Sequence, residues 1–174
     1  LITQSGSAGL EKNGLGELNL SGSNDFLGST DLNLGKLIVS GSQNFVSSVD
    51  IGLDAVLEFD TTTASRTYNG VLSGVGSLSK VSANELQLNG DSTSAFTGTT
   101  TVSGGSVYVP GGLTASGNIV LEDGFFELAN STSLGSTYSG TISFNGGLFI
   151  HGQAKDFSAQ YSTADNQQYR IQVI

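Results

Sequence analysis

The chain of 174 residues contains no cysteine, methionine or tryptophan, and it has one proline and one histidine. The absence of cysteine excludes a disulfide framework and a thiolate metal site. Basic residues are scarce, because six Lys and Arg stand against 15 Asp and Glu, which leaves a net charge of −9. Such a chain repels the phosphates of nucleic acid and an anionic membrane surface, so we expect no nucleic-acid partner.

Long hydrophobic runs are missing as well. No stretch of about 18 apolar residues predicts a membrane helix, and no basic segment followed by an apolar one predicts a signal peptide. The chain begins at Leu1 rather than Met. We therefore expect it to be a processed product or a piece of a longer protein.

Glycine, in contrast, is abundant, with 25 of 174 residues. Glycine costs about 1 kcal/mol per helical position relative to alanine, and charged helix formers are few. Short runs alternate apolar and polar residues, as in Leu57-Glu58-Phe59 and Leu86-Gln87-Leu88, and Asn-Gly pairs punctuate the chain. Because successive side chains of a strand face opposite ways, Leu86 and Leu88 are predicted to point inward and Gln87 outward. The pattern predicts an all-β fold with many tight turns.

The chain repeats itself with a period of roughly 70 residues, which is long enough to contain several turns of a repeat fold. Residues 9–12 and 16–22 recur as 77–80 and 84–90, and residues 35–41 recur as 105–111. The repeat defines units at about 1–68 and 69–137, with a third unit starting at 138. Each predicted strand of the first unit has a counterpart about 70 residues later, which favours a solenoid over an antiparallel sandwich. At roughly 20 to 25 residues per turn, each unit makes about three turns, which predicts a right-handed parallel β-helix of about seven turns.

The ordered string Lys, Gly, Glu-Leu-x-Leu, Gly, Phe-x-Gly, Thr and Gly-x-Leu occurs from Leu10 to Leu37 and again from Leu78 to Val107. It resembles the autotransporter-associated β-strand repeat of bacterial type V secreted passenger domains. The second copy departs from that pattern at residues 81–84, where the family usually has glycines. The resemblance implies a β-helix that is exported and displayed outside the cell. In a precursor of this kind, the chain's own C-terminal translocator barrel is the expected partner.

Residues 151–174 depart from the repeat and are richer in glutamine and charge. A solenoid must shield its last turn, so this segment is predicted to be a cap or a set of divergent turns. By resemblance to passenger domains, it is also a candidate for an autochaperone that promotes folding.

Two strings invite a catalytic interpretation. Ser77 and Lys80 have the S-x-x-K spacing of penicillin-recognising enzymes, but that chemistry needs a helix and these residues fall in a predicted strand. His151 is the single histidine, and the chain has no G-x-S-x-G elbow, so a serine triad is disfavoured. We expect His151 to be a surface or turn histidine, and we expect no catalysis at Ser77 and Lys80.

Carboxylates raise the possibility of a metal site or a glycosidase, because paired carboxylates bind cations and cut sugars. The candidates are Asp50, Asp54, Glu58, Asp60, Glu122, Asp123 and Glu127. No calcium-loop motif accompanies them, so we interpret them as the solvated outer face of the coil. The glycosylation sequons at Asn19 and Asn130 carry little meaning in a bacterial chain.

Aromatic residues recur once per unit, Phe26 with Phe96 and Tyr68 with Tyr138. They are predicted to stack in the core or to fill a corner rather than to bind sugar.

The sequence thus predicts a structural segment of a surface-displayed or secreted passenger, supporting an adhesive or virulence function, and not an enzyme. We expect no catalytic, cofactor-binding or metal-binding residues, no cofactor and no small-molecule substrate. Two alternatives stay open. One is a β-helix that cleaves or binds carbohydrate, and the other is an adhesin that associates with a like chain or a host surface protein.

Overall fold

The structure, a computed structural model, describes residues 8–22, 28–41, 45–89, 95–110, 117–129, 138–151, 161–163 and 171–173. The regular elements within these ranges are all β-strands, and every strand pairing is parallel. The described ranges contain no helix long and apolar enough to cross a membrane. The all-β prediction is therefore confirmed.

The strands form three stacks that run along the coil. Stack 1 consists of β1 (Leu10–Lys12), the first parts of β3 (Thr30–Val39) and β4 (Val49–Asp60), β6 (Leu72–Gly74) and β9 (Ala95–Phe96). Stack 2 consists of β2 (Glu17–Leu20), the second parts of β3 and β4, β7 (Ser77–Val81), β10 (Thr99–Val102), β12 (Ile119–Leu121), β14 (Ile142–Phe144) and β16 (Tyr161–Thr163). Stack 3 consists of β5 (Arg66–Tyr68), β8 (Glu85–Leu88), β11 (Ser106–Val109), β13 (Phe125–Leu128), β15 (Leu148–His151) and β17 (Ile171–Val173).

The strand register gives the length of one turn of the coil. It pairs Leu10 with Thr30, Thr30 with Val49, and Val49 with Leu72, so three successive turns carry the chain from Leu10 to Leu72. The described strands make about six turns of a right-handed parallel β-helix. The predicted architecture is confirmed, with a number of turns close to the expected seven.

The core fills the inside of the coil through rows of aligned side chains. In stack 2, Leu37, Leu57 and Leu78 are register partners and all are buried. In stack 3, Leu86 and Leu88 are buried as predicted, while Gln87 lies between them on the outer side and is half-buried. The alternation of the sequence therefore places one leucine above another from turn to turn, which buries each between two neighbours.

The sequence repeat and the turn of the coil have different lengths. Three turns carry the chain from Leu10 to Leu72, whereas one sequence repeat carries it further, from Leu10 to Leu78. Leu78 lies in stack 2, whereas Leu10 lies in stack 1. The first unit thus contains three turns and one additional strand, close to the expected three turns. The second copy begins one stack further round the coil.

The segment 151–174 is described only at two strands beyond His151. β16 extends stack 2 and β17 extends stack 3. The other residues of the predicted cap lie outside the described residues, and the side chain of His151 does as well.

Candidate functional site

The corner between consecutive strands of one turn holds a buried lysine in both copies of the repeat. Lys80 occupies an inward position in β7, with Phe59 and Val102 as its register partners, and is fully buried. Its Nζ donates to the carbonyl oxygens of Val81 at 2.8 Å, Ser82 at 2.8 Å and Gly104 at 3.0 Å. These three carbonyls match the three N–H donors of an ammonium group.

The acceptors of Lys80 belong to two turns. Val81 is the last residue of β7, Ser82 lies in the corner that follows it, and Gly104 lies in the corner one turn later. Burial lowers the pKa of Lys80 to about 8, and the nearby carboxylate of Asp60 acts in the opposite direction. The ammonium group therefore joins two neighbouring turns at the cost of its own hydration.

Lys12 makes two of the corresponding contacts in the first copy. Its Nζ donates to the carbonyl of Gly14 in its own corner and to the carbonyl of Leu34, at 3.0 Å, in the next turn. Gly14 aligns with Ser82 and Leu34 aligns with Gly104 in the repeat. We call each set, a buried lysine with the corner carbonyls of two turns, a lysine clip.

A glycine follows each clip. Gly35 and Gly105 have φ of +76° and +61°, a left-handed conformation that favours glycine. A methyl group on Gly35 would collide with the backbone of residues 14–16, and one on Gly105 would collide with the backbone of residues 82–84. The glycine of the repeat is thus required by the close approach of two stacked corners.

The recurring tyrosines also contact the preceding turn through equivalent atoms. The hydroxyl of Tyr68 donates to the carbonyl of Ser47, and that of Tyr138 donates to the carbonyl of Gly117, both at 2.7 Å. Both tyrosines are buried, which raises the pKa of each hydroxyl above its usual value. Phe96 is buried as well, whereas Phe26 lies outside the described residues. The prediction that these aromatics belong to the core is confirmed for the three described ones.

The candidate carboxylates are spread over the outer surface. Asp50, Asp54, Glu122 and Asp123 are exposed, and Glu58, Asp60 and Glu127 are half-buried. The part of the chain that the structure describes contains no group of three metal-ligating side chains placed to hold an ion. Glu58 and Glu127, which align in the repeat, lie in stacks 2 and 3.

Glu58 and Asp60 contact other side chains of the same chain on the outer side of stack 2. Lys36 lies 3.2 Å from Glu58 and 3.6 Å from Glu17, and the hydrogen bond to Glu58 is the main cause that raises the pKa of Lys36. Asp60 accepts hydrogen bonds from the hydroxyls of Ser82 and Thr62, each at 2.6 Å, which lower the pKa of its carboxyl group. These carboxylates therefore link neighbouring turns.

The S-x-x-K string lies in β7, which confirms its assignment to a strand. Ser77 points outward and Lys80 inward, because residues three apart in a strand face opposite sides. Asn19 is exposed and accepts a hydrogen bond from Ser40, whereas Asn130 lies outside the described residues.

The lysine clips coincide with the segments that match a known family. The family model of the passenger-associated-transport-repeat matches residues 10–39 and 78–109. These two segments are similar to the passenger-associated-transport-repeat and together make up about a third of the chain. The repeat is found in autotransporter passenger domains, which confirms the resemblance seen in the sequence. No curated protein and no solved structure gives a significant match to the chain.

Each matched segment begins two residues before its buried lysine and ends four residues after its left-handed glycine. One copy therefore spans two stacked corners and the lysine clip between them. Each matched segment therefore contributes one buried contact between neighbouring turns.

The burial of the lysines was missed by sequence reasoning, although the signal was present. Lys12 and Lys80 stand two residues after Leu10 and Leu78, so the strand alternation places each lysine on the same side as its leucine. Arg66 is also buried, and its Nη2 donates to the carbonyl of Gly41. Recurrence of a cation at an inward position, once per repeat, indicates a buried structural contact.

Proposed function

We propose that this chain is a stalk segment of an autotransporter passenger, displayed at the bacterial cell surface or released from it. The lysine clips carry the proposal, because each one joins a turn to the next and both lie in repeats typical of such passengers. At a strand spacing of about 4.8 Å, six turns make a rod about 29 Å long. The rod would hold an adhesive or effector region away from the membrane and would itself catalyse no reaction.

An internal deletion tests the stalk. Removing residues 10–71 from the full-length precursor takes out three turns in register, because Leu72 then occupies the place of Leu10. We expect the shortened passenger to be displayed, as measured by protease treatment of whole cells, and to be about 14 Å shorter by electron microscopy. Loss of the passenger's binding activity, with display intact, would show that these turns themselves hold the active surface.

We also propose an autochaperone-like contribution to folding of the passenger. Each clip lysine receives an acceptor from the following turn, so a folded turn offers its neighbour a carbonyl that its lysine needs. Refolding kinetics of the chain, with and without Lys12→Met, test this contribution. We expect Lys12→Met to slow refolding, whereas an effect on unfolding alone would argue against a role in folding.

A further inference from the structure

Apolar side chains line one corner of the coil over four successive turns, and three of the four are exposed. Leu15 is 82% exposed, Leu53 is 74% exposed and Val75 is 54% exposed, and Leu34 is half-buried. All four lie where stack 1 joins stack 2. We call these four residues the apolar corner.

The corners lie directly on one another. A methyl group on Gly35 would strike the backbone of Leu15, and one on Gly52 would strike the carbonyl of Asn33. Gly76, next to Val75, approaches the carbonyl of Gly52 in the same way. With turns about 4.8 Å apart, the apolar corner places one apolar residue per turn along a ridge about 15 Å long. It ends at the next turn, where the corner is Thr97-Gly98.

Carboxylates border the ridge on the stack 1 side. Glu11, Asp31 and Asp50 are register partners in three successive turns, and all three are exposed. Asp54, beside Leu53, is exposed too. Glu11 accepts a hydrogen bond from Asn13, and Asp50 accepts one from Ser73. The ion pairs between described residues involve none of these four carboxylates.

The stack 2 side of the ridge is also acidic. Glu17 and Glu58 share one cation, Lys36, and Lys12 is buried beneath the corner. The carboxylates in adjacent strands carry charges of the same sign, and their sum creates a negative field around the ridge.

We propose that the apolar corner binds a cationic amphipathic polypeptide segment, one that places apolar side chains on the ridge and Lys or Arg beside the carboxylates. Charge complementarity selects this partner. A second copy of the chain, with six basic residues against 15 acidic ones, fits poorly, because its net charge of −9 repels the same surface. This binding role goes beyond that of a stalk and depends on the fold alone, not on export.

A labelled peptide of alternating Lys and Leu is a suitable probe, with fluorescence anisotropy as the readout. We expect the intact chain to bind it, and Leu53→Ser or Leu15→Ser to weaken binding about tenfold. The double variant Asp31→Asn, Asp50→Asn should weaken it to a similar extent and reduce its dependence on salt. The Glu-Leu counterpart of the peptide should not bind.

Matched controls lie on other parts of the coil. Phe125→Ser removes an exposed apolar side chain of stack 3, and Glu122→Gln with Asp123→Asn removes two exposed carboxylates. Both should leave binding unchanged, and urea denaturation should show that every variant is folded. Equal losses in the control and corner variants, or binding of the Glu-Leu peptide, would overturn the proposal. Sedimentation showing a dimer that Leu53→Ser abolishes would identify a second copy as the occupant instead.

Discussion

The ammonium nitrogen of Lys80 lies 3.0 Å from the carbonyl oxygen of Gly104, which belongs to the next turn of the coil. The same relationship joins Lys12 to Leu34 in the first copy of the repeat. A buried cation normally destabilises a fold unless its donors are satisfied. Here carbonyls of two stacked corners satisfy them, so the lysine of the repeat is a contact between turns.

Replacing Lys80 with Met should destabilise the chain by about 2 kcal/mol, because three carbonyls lose their buried donor. Lys36→Met provides the control, since Lys36 makes only partly exposed ion pairs, and it should cost about 0.5 kcal/mol. Urea denaturation measures both. Similar values for the two variants would contradict the structural role of the clip.

The clip also predicts a pH dependence. The pKa of Lys80 is lowered to about 8 from 10.5, so between these values the unfolded chain binds more protons than the folded one. The free energy of unfolding, relative to that of Lys80→Met, should therefore rise as the pH increases from 8 to 10.5 and stay constant below 8. Denaturation of both proteins across this range provides the measurement. A fall over the same window would mean that the carbonyls hold the charged form and that the pKa is not lowered.

The glycine that follows the clip should tolerate no side chain. Gly105→Ala should cost at least about 2 kcal/mol, because it combines a left-handed φ of +61° with a collision against the preceding corner. Gly16→Ala is the matched control, since a methyl group there meets no atom within 4 Å, and its effect should be within about 0.5 kcal/mol. Thermal unfolding separates the two. A neutral Gly105→Ala would show that the corners are not in close contact.

The tyrosine hydroxyls should contribute to stability in both units. Tyr68→Phe and Tyr138→Phe each remove one buried hydrogen bond to the preceding turn and should cost about 1 to 2 kcal/mol. Tyr108, which is half-buried on the outer side of stack 3, serves as the control, and Tyr108→Phe should be nearly neutral. If all three substitutions change the free energy of unfolding equally in chemical denaturation, the two buried hydroxyl contacts do not stabilise the fold.

The strand register predicts a strong contrast between neighbouring positions. Leu86→Asp places a carboxylate in the core and should cost about 3 to 5 kcal/mol, whereas Gln87→Asp should cost about 0.5 kcal/mol. The contrast between Leu18→Asp and Asn19→Asp should be smaller, because Leu18 is only partly buried. Urea titrations of the four variants give these values. Equal losses of stability for Leu86→Asp and Gln87→Asp would mean that the assigned register is wrong.

Much of the fold was predictable because it follows local rules. Alternation in Leu86-Gln87-Leu88 assigns the inward residues without knowledge of any partner strand. The repeat then indicates a series of similar turns, which favours a solenoid. The proposed binding surface was not predictable in this way, since Leu15, Leu53 and Val75 stand at unrelated positions of the sequence repeat.

The sequence by itself determined the parallel β-helix, the repeat and the core positions of Tyr68 and Tyr138. Alternation within a strand and recurrence between units can both be seen in the order of residues along the chain. Only the tertiary structure decided that three turns end at Leu72 while the repeat ends at Leu78, so that Leu10 and Leu78 lie in different stacks. The physical reason is that the length of a turn depends on how the chain closes around its core. That closure brings Lys80 against Gly104 and places Leu15, Leu53 and Val75 along one corner.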